Sequence, residues 1–216
     1  MMKNSNKKSG YTTLNALLAR IERLFLTVII GLIFPILLGL AGWWGSIPFV
    51  SEDRIPLFAM VGVLAGVILD LLFLRRWVRK ALSASILWPG ITYLFYSVGV
   101  FGFFMGVPVF NLLLGPVWAY FMGMRLRTTN ADKPAVAKSA HQSAIFTSGV
   151  LALACLASIV IAFLDPSLEI NIQGMFGLAK PPDRSLILGL STVGGVMLVI
   201  IEYLLTHAAV KFARFV

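Results

Sequence analysis

Residues 81–124 read ALSASILWPGITYLFYSVGVFGFFMGVPVFNLLLGPVWAYFMGM, without one charged side chain. As helix, at about 1.5 Å per residue, the stretch would run about 66 Å, roughly twice the 30 Å of a bilayer's hydrocarbon core. It is too long for one crossing and suits two. The division falls at Gly106-Val107-Pro108. Glycine permits the turn, and proline stops the incoming helix but fits the first turn of the next. A tight helical hairpin is expected there, with a re-entrant loop as the competing reading.

Outward from this stretch, the chain resolves into six apolar runs: Leu24–Trp44, Pro56–Leu74, Ile86–Met105, Pro108–Met124, Ala144–Leu164 and Ser185–Leu205. Hydrophobic residues make up 59% of the chain and charged residues 12%, against about 45–50% and about 25% in soluble domains. The expected fold is an all-α membrane protein with six transmembrane helices, three antiparallel hairpins in one bundle. Residues 1–23 form a basic N-terminal segment, 24–205 the membrane domain and 206–216 a short basic tail.

Charge sets the orientation. Lys3, Lys7, Lys8, Arg20, Arg23, Arg75, Arg76, Arg79, Lys80, Arg125, Arg127, Lys133, Lys138, Lys211 and Arg214 fall on one side of the six-span scheme, and only Arg54, Lys180 and Arg184 on the other. Positive residues collect on the cytoplasmic side, so both termini are expected there, in a prokaryotic cytoplasmic membrane. The net charge of +9 is thereby explained by orientation and anionic lipid. It is spread over short connections rather than one basic face, and no nucleic-acid partner is expected. Trp43, Trp44, Trp77 and Trp88 stand at the run ends, where indole rings favour the interface.

The basic start followed by an apolar run resembles a secretory signal, but the run is too long and Gly42-Trp43-Trp44-Gly45 is a poor cleavage site. An uncleaved first span is expected. Ahead of it, Leu14, Leu17, Leu18, Ile21 and Phe25 recur at helical spacing. They fit either a helix lying in the inner headgroup layer or an extension of the first span. A weak repeat, Ile55-Pro56-Leu57-Phe58 against Val107-Pro108-Val109-Phe110, is better ascribed to chance in a reduced alphabet. The connection 125–143 reads as a polar, flexible loop.

Chemistry is sparsely marked. The chain has no Gly-x-Ser-x-Gly, no His-Glu-x-x-His, no phosphate-binding loop and no Cys-x-x-Cys. Cys155 is its single cysteine, and His141 and His207 lie near the inner ends of the fifth and sixth runs. No cofactor and no metal are expected. Small residues recur at spacing four: Gly62 and Gly66; Gly102 and Gly106; Gly115, Ala119 and Gly123. Such rows let helices pack closely within a bundle or between copies of a chain. Pro35 and Pro116 interrupt runs at depth, where a freed backbone carbonyl either is satisfied by neighbours or contributes to an ion site.

The polar positions inside the runs are Asp70, Glu202 and Asn111. Asp70 and Glu202 both fall about one turn from the inner boundary, Asn111 about one turn from the outer one. Neither carboxylate has a cationic neighbour on its own helix face. Snorkelling toward water is the bland reading of the pair; a coupled inner-leaflet site is the sharper one. Scarce polar groups favour a non-catalytic accessory or assembly component, with a membrane partner or a second copy of the chain. A small transporter or channel for a cation, proton or neutral solute, using Asp70, Glu202 and Asn111, is the second expectation. A lipid-modifying enzyme is the third.

Overall fold

The computed structural model describes the backbone of residues 5–104 and 106–214, and the side chains of 16–104, 106–174 and 177–214. Lys3, Met105 and the side chain of Leu14 lie outside them. The described residues form eight helices and no strand: α1 (Ser5–Gly31), α2 (Ile33–Ser46), α3 (Ile55–Lys80), α4 (Leu87–Phe103), α5 (Leu114–Thr128), α6 (Lys133–Leu164), α7 (Leu168–Phe176) and α8 (Arg184–Ala213). Two compact units divide at Ser85, α1–α3 in the first and α4–α8 in the second.

The surface is that of a membrane protein. Leu57, Val61, Leu64, Ile68 and Leu71 are exposed along α3, and Leu186, Leu190, Val193, Met197 and Leu204 along α8, while Asp70, Thr147, Glu202 and Thr206 are buried. Apolar outside and polar inside inverts the pattern of a soluble fold and suits a lipid solvent. Five stretches are long and apolar enough to cross a bilayer: 16–46, 52–80, 108–128, 133–164 and 184–213. The helix α4 is apolar but shorter, at 17 residues.

In the first unit, α1 and α2 form one path broken at Leu32, and α2 packs along α3. The contact is backbone on backbone. A Cβ on Gly62 would come 2.7 Å from the Leu38 carbonyl carbon, and one on Gly66 would come 2.5 Å from the Pro35 nitrogen. Real side-chain carbons do not approach that closely, so only glycine fits at either place.

The second unit starts with α4 and turns at Gly106, whose φ of +81° suits glycine. Pro108–Leu113 is a 3₁₀ turn that runs into α5. The resemblance between the Pro56 and Pro108 segments therefore ends at sequence, since Pro56 opens a continuous α-helix. Pro116 stands where the Pro108 stretch passes from 3₁₀ to α-helix, in the first turn of α5 and within the helical segment 108–128.

The loop expected over 125–143 is mostly helix. Asp132 caps α6 by accepting from the Ala135 N–H at 2.9 Å, and Pro134 sits in the first turn. Residues 133–143 are polar in composition but carry Val136 and Ala140 at spacing four, both buried. The segment beyond Leu205 is likewise not a tail. There α8 continues to Ala213, with Thr206, Val210 and Ala213 buried. Ala119, Leu126, Val136, Ala140 and Val210 form one apolar core joining α5, α6 and α8.

Residues 165–183, between α6 and α8, contain α7 and a fixed corner. Arg184 donates to the carbonyls of Phe163 and Asp165 at 3.1 and 3.0 Å, and pairs with Glu169 at 3.4 Å. Its guanidinium also lies 5.4 Å from the Phe163 ring centre. One cation thus satisfies the last carbonyls of α6, the acidic first turn of α7 and the start of α8.

Candidate functional site

Four helices of the second unit present inward rows at spacing four. On α4 the row is Tyr93 and Ser97; on α6 it is Ser143, Thr147, Leu151 and Cys155; on α8 it is Glu202, Thr206 and Val210. The α5 row, Gly115, Ala119 and Gly123, consists of small residues and is buried throughout. A stripe at this spacing stays on one helix face, so hydroxyls and a carboxylate placed on it must meet in the interior.

They meet at Glu202, which has no exposed surface. The Tyr93 hydroxyl donates to its Oε1 at 3.5 Å, and the Thr147 hydroxyl also faces the carboxylate. Thr147 donates to Thr206 at 3.0 Å, and Thr206 is itself wholly buried. The space for this group is made by Gly115. A Cβ there would come 2.5 Å from both Glu202 Cδ and Thr206 Oγ1, and would overlap Oε1. Gly123, two turns along α5, admits Ala213 in the same way.

Glu202 Oε2, Trp118 Nε1, Asn111 Oδ1 and Ser97 Oγ are buried without a hydrogen-bond partner among the described residues. Each such group costs about 1–3 kcal/mol if left unmet. Asn111 is half satisfied, donating from Nδ2 to the Ser97 carbonyl at 2.8 Å. This bond ties the 3₁₀ turn back to α4 across the hairpin. Asn111 also stands four residues before Gly115, so the Ser97–Asn111 pair lies about one helical turn from the Glu202 group.

An open cleft of about 400 Å³ reaches the same interior from α4. Its walls are apolar (Leu87, Ile91, Leu94) apart from Ser139, Gln142 and Ser143, and it ends on Trp118 and Phe146. Tyr93 packs edge-on to Trp118 at 5.6 Å and against Phe146 at 5.3 Å. Trp118 and Phe146 at the cleft's end thus touch the ring of Tyr93, whose hydroxyl donates to the carboxylate.

Of the residues singled out in the sequence, Asn111, Gly115 and Glu202 gather in the second unit, while Asp70 belongs to the first. Asp70 is buried against the Gly31 backbone, and its Oδ1 has no partner. Gly102 faces open space, and Gly106 serves the turn. Tyr93, Thr147 and Thr206 were missed, although each lies four residues from another buried polar or small position. The two histidines also share a neighbour: Tyr203 meets His141 at 2.8 Å and stacks on His207 at 6.0 Å. No group of three or more His, Cys, Asp or Glu suited to a metal occurs among the described residues.

The chain matches no protein-family model, no curated protein and no solved structure. Function must be argued from the site.

Proposed function

We propose that the chain is a small six-span transporter or channel for protons or monovalent cations, with Glu202 as the residue that binds the moving charge. The observation that carries this reading is the enclosure of Glu202 among Tyr93, Thr147 and Thr206, with one carboxylate oxygen left over. A buried carboxylate is costly in lipid and marks an ion or proton pathway when it faces a bundle interior. The surrounding hydroxyls both donate and accept, as a relay or a dehydrated cation requires.

Depth strengthens the case. Glu202 packs on Gly115, which precedes Arg125 by about 15 Å of helix, and Lys211 lies about 14 Å beyond Glu202 on α8. With those cations at the inner surface, the carboxylate sits near the midplane, beyond the reach of snorkelling. The cleft behind Trp118 and Phe146 offers an approach from one side, and the Ser97–Asn111 pair a step toward the other. Six crossings require α4 to span, and its 17 residues meet the lower limit of about 17. The positive-inside distribution supports an orientation with both termini in the cytoplasm.

The test is flux in lipid vesicles. The purified protein, reconstituted with an internal pH dye and an imposed potassium diffusion potential, should carry protons or the cation supplied. Glu202→Gln, which keeps the shape and removes the charge, should reduce that flux at least tenfold while the protein remains folded. Equal flux for both proteins, or none above empty vesicles, would overturn the reading and leave the accessory role.

A further inference from the structure

At the end of the second unit that carries its lysines and arginines, α6 and α8 share a cluster of rings and cations. His141 Nδ1 lies 2.8 Å from the Tyr203 hydroxyl and so joins the two helices. The His207 ring stacks on Tyr203 at 6.0 Å, nearly parallel at 7°. Lys211 and His141 both lie within electrostatic reach of His207. Lys211 stands four residues beyond His207 on α8, and Lys138 three before His141 on α6, so each shares a helix face with its histidine. His141, Lys138 and Lys211 are exposed, while Tyr203 and His207 are half-buried.

Negative charge is scarce at this end. Residues 120–147 and 200–216 hold six Lys and Arg but only two carboxylates, Asp132 and Glu202. Asp132 caps α6, and Glu202 is wholly enclosed. Toward the bilayer the same helix faces turn apolar. Ile145 follows His141 by one turn and Ile200 precedes Tyr203 by one, and each is 53% exposed. A cationic head with an apolar track above it matches a phospholipid in both parts.

We propose that α6 and α8 hold one anionic phospholipid here, its phosphate at His141, His207 and Lys211 and an acyl chain along Ile145 and Ile200. Basic pockets between helices on the cytoplasmic side bind such headgroups, and the orientation supported above puts this end in the leaflet where anionic lipid collects. The Tyr203 hydroxyl, donating to Nδ1, keeps the imidazole proton of His141 on Nε2, so that even the neutral ring offers the phosphate a donor. A metal ion is the poorer fit, because the Lys211 ammonium beside the rings repels it and attracts an anion. The site does not depend on the role given to Glu202.

Native mass spectrometry of the purified protein, titrated in detergent with phosphatidylglycerol or with phosphatidylcholine, tests it. The first phosphatidylglycerol should bind more tightly than the first phosphatidylcholine. Lys211→Gln should weaken that binding about fivefold, the effect of one cation near a lipid surface. His141→Phe, which keeps a ring and removes its N–H, should weaken it roughly two- to tenfold. Affinity for phosphatidylcholine should stay unchanged in both, which a collapsed fold would not allow. Lys133→Gln is the control, since Lys133 lies five residues before Lys138 and off the His141 face. Equal losses at Lys133 and Lys211 would reduce the attraction to a diffuse one and overturn the site, as would an unmodified protein without preference for phosphatidylglycerol. A phosphatidylglycerol with a photoreactive diazirine in its acyl chain needs no substitution. Its adducts should concentrate at Ile145 and Ile200, and an even spread over the other helices would equally overturn the proposal.

Discussion

Gly115 and Glu202 touch so closely that a methyl group on the glycine would overlap the carboxylate. This contact sets the distance between α5 and α8 at the level where the polar interior is assembled. Gly115→Ala must push the carboxylate or the helix aside and should cost about 1–3 kcal/mol, as overpacking does. Gly102→Ala is the control. Nothing lies within 4 Å of a Cβ at that position, so the exchange should be neutral or stabilise by about 0.5–1 kcal/mol through helix propensity. Unfolding midpoints in one detergent compare the two, and equal effects would show that the contact is not tight.

Topology is open to direct labelling. In a Cys155→Ser background, cysteines replacing Ser51 and Ser167 should react in intact cells with a membrane-impermeant thiol reagent. Cysteines replacing Ser83 and Ala137 should react only once the membrane is opened. Reaction at Ser83 from outside would contradict the six-span scheme.

Asp132 carries the start of α6 through its bond to the Ala135 N–H. Asp132→Ala should destabilise the first turns by about 0.5–2 kcal/mol, the usual effect of losing such a cap. Amide hydrogen exchange over residues 133–140 should accelerate, with residues 150–160 unchanged. Uniform exchange along the whole helix would mean that the cap is not what ends it.

At the corner held by Arg184, hydrogen bonds from the Ser167 hydroxyl and backbone keep the Asp165 carboxyl below its ordinary value of 3.8. A depressed carboxyl contributes stability that is fully present above the ordinary value and is lost as pH falls through the lowered one. Protection of the Ser167 amide from exchange should therefore hold at neutral pH and fade in acid, below the normal aspartate range. Asp165→Asn should make that protection independent of pH. A protection profile unchanged by the substitution would show that the amide is held by something else.

Hydropathy made the helical class and the membrane legible, because runs near twenty apolar residues have few other uses. It misjudged helix ends. The span 144–164 is part of a helix beginning at Lys133, and the capping signal Asp132-Lys133-Pro134 was present in the sequence. Polar composition hid the buried stripe of Val136 and Ala140, as it hid Val210 and Ala213 beyond the sixth run. The site was legible only in pieces. Glu202 could be named from its chemistry, but its neighbours Gly115, Thr147 and Tyr93 come from three other helices. A pairing between distant segments leaves no local periodicity to read.

The division at Ser85 bears on how the chain is made. The glycine contacts that join α2 to α3 all lie ahead of it, so they can form while the ribosome is still working on the remainder. At about 5–20 residues per second, the second unit needs roughly 7–26 s to be synthesised, long compared with helix formation. Glu202 emerges after Tyr93, Gly115 and Thr147. Until then the hydroxyls of Tyr93 and Thr147 must wait in the insertion machinery or the lipid without their acidic partner, so α8 is the helix that closes the polar interior.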